Sequence, residues 1–342
     1  MKLFRLLFLA LGLGLFGLVL VQADLNAVAD HVGRLGWAGA LVIPAVSSLP
    51  FLADTWSWQM LFTPSRPGWR WFAVLWKVRM VGSAINKLTP VAGLAGEPVK
   101  AVMLKRIYGL PYREGIASLV LAKTANLIAL VVFLVMGMAL AFAGGGLPQS
   151  YRLAAAAGFA VLTFSIGVVF AVQRFRISSA LGIWFSRRWP RRSIGHILDY
   201  VHDMDDRLVH AYTGDRARFL AATFLQFLYW VLGVVELYLI FWFMGHPVTV
   251  VEASAIAATL ELVRAGTFFI PANIGAEEAT LSLIVTTITG EAGLGLAVAF
   301  VRRYRELLWI GLGVLLAWRM TGGSRQPIGT WLRASEDERS SG

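Results

Sequence analysis

NKLTPVAGLAGEPVK, residues 86–100, sets Pro90, Gly93, Gly96 and Glu97 in the middle of a chain whose flanks are membrane-hydrophobic. A second stretch, FFIPANIGAEEATL at residues 268–281, repeats the combination with Pro271, Gly275 and Glu278. Helix breakers and a carboxylate belong at bilayer depth only where irregular backbone is buried in protein or lines a wet cavity. Sliding the chain against itself by 181 residues superposes Pro90 on Pro271, Ala95 on Ala276, Glu97 on Glu278 and Gly109 on Gly290. Paired interruptions at corresponding places in two hydrophobic halves point to the binding site of a transporter built from repeats.

Composition agrees with a membrane setting. Of 342 residues, 57% are hydrophobic and 15% charged, and the mean hydropathy is +0.66, well above the globular norm. A formal charge of +11 invites a nucleic-acid reading, but basic connections between apolar spans are what the positive-inside rule produces, and no helix-turn-helix or RNA-binding signature is present. The absence of cysteine excludes disulfides, thiolate metal sites, thiol catalysis and covalent c-type haem. HExxH, Walker A and GxSxG motifs are absent as well, so neither a hydrolase of those classes nor a nucleotide cofactor is expected.

The first apolar run, 6–21, follows Lys2 and Arg5 and reads as a retained helix or, through Val21-Gln22-Ala23, as a signal peptide. Residues 24–36 suit a short interfacial amphipathic helix, and 37–62, 116–143, 153–172, 219–245 and 293–318 read as spans. Segment 173–218 holds nine Lys/Arg against five Asp, and the tail beyond Trp318 carries Arg319, Arg325, Arg333 and Arg339, so both are expected in the cytoplasm. Segment 71–115 must then leave and return on the inner side, and 251–292 on the outer side. Their charges, net +5 and net −4, differ in the sense this requires. The expected fold is all-α: a single integral membrane domain over 1–342, with about six full spans and two re-entrant or helical hairpins in an inverted-topology repeat. Its first half-repeat covers about 37–172 with hairpin 71–115, its second about 219–318 with hairpin 251–292. The basic segment 173–218 joins them, and 319–342 forms a cytoplasmic tail.

Lys123 lies inside one span, and Arg302, Arg303, Arg305 and Glu306 lie near the middle of another. A cation at bilayer centre costs at least about 2.5–3.5 kcal/mol, so such residues face partners or a cavity. They read either as internal ion pairs, with Glu306 or Glu236, or as a site for an anionic group, since four cations outnumber the two nearby acids. Glu97 and Glu278 either cap half-helices or act as coupling groups. Asn86 and Asn273 either bind ligand or satisfy freed backbone groups. Residues 98–109, with Lys100, Lys105 and Arg106, resemble a basic amphipathic helix at an anionic lipid surface. His202, Asp206 and His210 share one helical face, but interleaved charges favour a solvated helix over a metal site.

Asn86, Pro90, Gly93, Gly96, Glu97 and Lys100 in the first hairpin, with Pro271, Ile274, Gly275, Glu278 and the following Arg302 and Arg303, resemble the flippase-like family named for the transmembrane region of lysylphosphatidylglycerol synthases. The resemblance spans roughly 37–318. It departs at Gly93-Leu94-Ala95-Gly96, where adjacent glycines are the pattern, and at Ala272-Asn273. It implies a bacterial inner-membrane protein that binds or translocates an amphipathic lipid with an anionic headgroup. With no aminoacyl-transferase domain after Trp318, lysine transfer is not expected and the protein reads as a non-enzyme. The rival is a membrane scaffold that holds a lipid-biosynthesis enzyme as its partner.

Overall fold

Proline, glycine and capping side chains divide the apolar chain into helices in the computed structural model, which describes residues 12–21, 23–62, 66–89, 95–143, 160, 215–267, 270–291 and 293–320. Helix α1, Gly12–Val21, meets α2, Leu25–Arg34, at a 92° bend. The Asp24 carboxylate starts α2 by accepting from the Asn26 and Ala27 amides at 3.0 and 3.3 Å. Helices α3, Gly36–Val46, and α4, Ser48–Met60, form one apolar column that carries Pro44 inside α3 and joins at Ser47. Then follow α5, Trp69–Leu88, α6, Gly96–Tyr108, and α7, Tyr112–Ala143. The second group is α8, Arg216–Phe243, α9, Val250–Gly266, a 3-10 turn at Pro271–Asn273, α10, Ala276–Thr289, and α11, Leu294–Met320. No strand occurs among the described residues.

Three helical stretches there are long and apolar enough to cross a membrane: Gly36–Met60, Tyr112–Gly137 and Arg216–Phe243, with a fourth if α1 and α2 form one bent span. The 27-residue α11 has the length, but Arg302, Arg303, Arg305 and Glu306 interrupt its apolar character. The expected span 153–172, the segment 173–214 with its three-residue His/Asp face, the motif residues Pro90 and Gly93, and the tail beyond 320 lie outside the described residues.

The two groups of helices correspond at the 181-residue offset. Trp69, the start of α5, falls on Val250, the start of α9; Tyr108, the end of α6, falls on Thr289, the end of α10. Gly109 and Gly290 both end their helices in the left-handed conformation, at φ 69° and 73°. Packing follows the same pairing. Helix α5 packs on α6 as α9 packs on α10, α6 on α7 as α10 on α11, and α4 on α5 as α8 on α9. The last described helix of each group also lies on the other's hairpin: α7 on α9, and α11 on α5.

Lipid tails are as apolar as Leu, so helix association inside a bilayer depends on close packing more than on burial. Helix α11 approaches α5 at Gly313 and α10 at Gly295 so closely that a Cβ at either glycine would overlap the facing backbone. The largest apolar cluster joins α7 to α11 through Phe133, Leu237, Phe241, Ile256, Leu281 and Val298; a second joins α4, α5 and α6 through Trp58, Phe62, Leu75 and Leu104. The second hairpin contributes to the first of these clusters and the first hairpin to the second.

Candidate functional site

Both hairpin breaks open onto one cavity of about 430 Å3, within the usual range of ligand pockets. Asn86, Thr89 and Glu97 reach it from the first break; Ile270, Ala272 and Asn273 reach it from the second. Trp58, Tyr229 and Trp230 supply aromatic walls, and Arg79, Lys100 and Lys123 stand opposite Asp54 and Glu97. A second cavity of about 240 Å3 adjoins it, sharing Phe51, Ser83, Lys87, Tyr229, Trp230 and Arg264 as walls and adding Glu236, Arg302, Arg305, Glu306 and Trp309.

Local chemistry explains each break. Helix α5 stops at Thr89 because the next residue, Pro90, disfavours helical backbone before it, and the Thr89 hydroxyl donates to the Ile85 carbonyl at 2.6 Å. The Asn86 side-chain oxygen accepts from the Gly96 amide at 2.6 Å, so Asn86 caps α6 across the break while its residue faces the cavity. In the second hairpin the chain turns through Ala272 and Asn273, both at φ 51°, and Gly275 at φ 82°. Asn273 is braced by the Thr267 hydroxyl at 2.8 Å. Glu278 accepts from the Gly275 amide at 2.7 Å and closes the start of α10. Helix α1 crosses this turn: a Cβ on Gly275 would overlap the Gly12 carbonyl oxygen.

Charge pairing departs from the sequence expectation. Arg302 meets Glu277 at 2.9 Å, Arg303 meets Glu278 at 2.7 Å and Glu306 at 2.6 Å, and Arg305 meets Glu236 at 2.5 Å. Lys87 of α5 reaches Glu306 at 2.5 Å, and Arg264 bridges Glu261 and Glu277 at 2.6 and 2.9 Å. Arg79 pairs with Asp54, and Lys100 with Glu97 at 2.8 Å. A chain of amides holds Asp54 from behind: Gln226 donates to it at 2.6 Å, and Asn126 donates to Gln226 at 2.9 Å. Seven carboxylates thus each have a cation of their own, and Lys123, exposed on the cavity wall, makes no ion pair among the described residues.

The large cationic surplus expected around Arg302, Arg303 and Arg305 is therefore corrected to a surplus of one, at Lys123. Sequence reasoning offered Glu306 or Glu236 as the partner of Arg302 or Arg305, of which the structure forms Arg305 with Glu236, but missed Asp54, Arg79, Lys87, Glu261, Arg264 and Glu277. Each is a charge inside an apolar helix, which was the available signal. Lys100 is corrected too. It does not sit on a lipid-facing surface: α6 packs between α5 and α7, which leaves Lys100 6% exposed, beside Glu97 and 6.0 Å from the Trp58 ring. Lys105 and Arg106 of the same helix stay exposed.

This arrangement can hold a polar, negatively charged group between two broken hairpins in an otherwise apolar molecule. No group of three or more His, Asp or Glu fit to hold a metal occurs among the described residues. A family model described as the lysylphosphatidylglycerol synthase TM region matches residues 5–314. No curated protein and no solved structure matches the chain.

Proposed function

The chain belongs to the family of the lysylphosphatidylglycerol synthase transmembrane region, and from that premise we propose that it is a flippase-like transporter that binds an anionic lipid headgroup between its two hairpins. It is a multi-pass membrane protein of a family associated with lipid metabolism or translocation. One observation carries the finer reading: both hairpin breaks end on a single cavity on whose wall Lys123 is a cation with no ion pair among the described residues. A headgroup phosphate seated there neutralises Lys123 and takes hydrogen bonds from its ammonium. Asn86, Thr89 and Asn273 add polar contacts at the two breaks.

On this reading the corresponding helix groups are inverted half-repeats, and translocation is a rocking of one against the other about the shared cavity. The pairs of Arg302 and Arg303 hold the second hairpin to α11 during that motion, the pair of Arg305 holds α8 to α11, and Glu97 with Lys100 is the charged couple that faces the headgroup. The protein sits in the bacterial inner membrane with its C-terminus in the cytoplasm. It acts without chemistry of its own on lipid delivered by a biosynthetic enzyme.

Reconstituted in liposomes with acyl-labelled phosphatidylglycerol, the parent is expected to expose inner-leaflet label to dithionite, and Lys123→Ala to slow this at least tenfold. Equal rates in the two, with both folded, would remove the transport reading and leave the scaffold that holds a lipid enzyme.

A further inference from the structure

We infer that Lys87 and Glu306 form a latch between the two groups of helices, closed in this structure and released when α5 and α11 swing apart during transport. The inference deepens the transport reading and rests on it. Among the described residues, Lys87 with Glu306 is the one ion pair that joins the groups. The pairs that α11 makes with other helices otherwise run to α8 and α10, and those of α5 and α6 stay within their own group. A rocking of one group against the other therefore has this pair to break. Its chemistry suits repeated opening. Glu306 divides its oxygens: Oε2 accepts from Arg303 at 2.6 Å, and Oε1 meets Lys87 at 2.5 Å. Release of Lys87 leaves the carboxylate with Arg303. The Lys87 ammonium, its side chain 40% exposed in the last turn of α5, retains solvent and the negative end of its own helix. Neither charge is stranded in an apolar site, the event that makes breaking a buried pair costly. By contrast Arg302, 10% exposed, meets no carboxylate but Glu277 among the described residues, and separation would strand it.

The seam between the two helices supplies the motion. A Cβ on Gly313 would lie 2.6 Å from the Met80 carbonyl oxygen, so the backbones of α11 and α5 touch there. That contact stands seven residues from the latch on either helix, about 10 Å along the axis. Between contact and latch, Ser83, Ala84, Trp309 and Ile310 line the smaller cavity. A swing about Gly313 thus opens the seam and the cavity behind it together. At the 181-residue offset Lys87 and Glu306 fall on Phe268 and Ala125. The equivalent seam of α9 on α7 therefore has no charges at these positions, and the latch holds one state of the cycle rather than both.

The chain has no cysteine, so introduced thiols are the only ones. Spin labels on Leu88→Cys and Leu307→Cys, both exposed at the latch end of the seam, report its width by electron–electron double resonance on the full chain in nanodiscs. With Lys87 in place a single short distance is expected. Lys87→Gln is expected to add a population longer by about 5 Å, one helical turn, and Lys87→Arg, the folded control, to keep the short distance. Identical distances in all three overturn the latch. In liposomes with acyl-labelled phosphatidylglycerol, Lys87→Cys/Glu306→Cys bridged by a bis-maleimide is expected to flip lipid at least tenfold more slowly than the same variant capped with N-ethylmaleimide. Equal flipping by the bridged and capped forms overturns the opening of this seam and leaves transport standing. A parent that does not flip lipid overturns the transport reading, and with it the part of the latch in transport, whatever the distances show.

Discussion

The two hairpins carry the same glutamate at equivalent positions and treat it oppositely. Glu97 keeps a side chain 34% exposed on the cavity and pairs with Lys100, one turn along its own helix. Glu278 is 2% exposed, bonded at once to the Gly275 amide and to Arg303 of the last helix. One hairpin presents its charge; the other uses its charge to fasten itself to α11. A repeated motif therefore marks the architecture and leaves the role of each copy to its neighbours: α10 packs on α11, whose arginines face it, whereas α6 packs on α7, whose Lys123 lines the cavity without touching a carboxylate.

That contrast can be broken most forcefully at the second turn. Gly275→Ala adds a Cβ against the Gly12 carbonyl at a positive φ of 82°, combining overpacking with left-handed strain, and is expected to cost more than about 3 kcal/mol. Loss of a monodisperse peak in detergent, or a large drop in Tm, checks it. Next comes the pair of glutamates. Glu278→Ala strips Arg303 of a buried partner and removes a helix cap, an expected loss of about 3 kcal/mol or more. Glu97→Ala removes a half-buried carboxylate and leaves the buried Lys100 without its partner, and is expected to cost about 2 kcal/mol, less than Glu278→Ala. Equal losses measured by thermal unfolding would erase the distinction between the hairpins. Asn86→Ala removes the bond to the Gly96 amide and is expected to cost about 1 kcal/mol, read as a modest Tm decrease. Smallest of all, Lys123→Ala is expected to change stability by no more than about 0.5 kcal/mol, because it breaks no ion pair.

Much of this architecture is legible in the chain. The proline, glycine and glutamate punctuation locates both breaks, and hydrophobic length locates α7 and α8, whose bounds fall within a few residues of expectation. Glu236 was visible as a partner for Arg302 or Arg305 because all three are charges within apolar spans. Other pairings were not legible. Asp54 finds Arg79, and Lys87 finds Glu306, only once packing sets the rotation of α4, α5 and α11, and periodicity in one helix carries no information on which face another helix turns toward it. The burial of Lys100 was hidden for a related reason: its helix reads as a surface element until α5 and α7 cover it. Contact between α1 and the Gly275 turn joins segments more than 250 residues apart, beyond anything a local pattern encodes.

Lys123 is where the account stands most exposed. Native mass spectrometry of lipids retained by the purified parent and by a folded Lys123→Ala variant asks whether this lone cation holds a headgroup. The parent is expected to retain one anionic lipid class selectively and the variant to lose it; identical, unselective lipid profiles from both would contradict a headgroup site at Lys123.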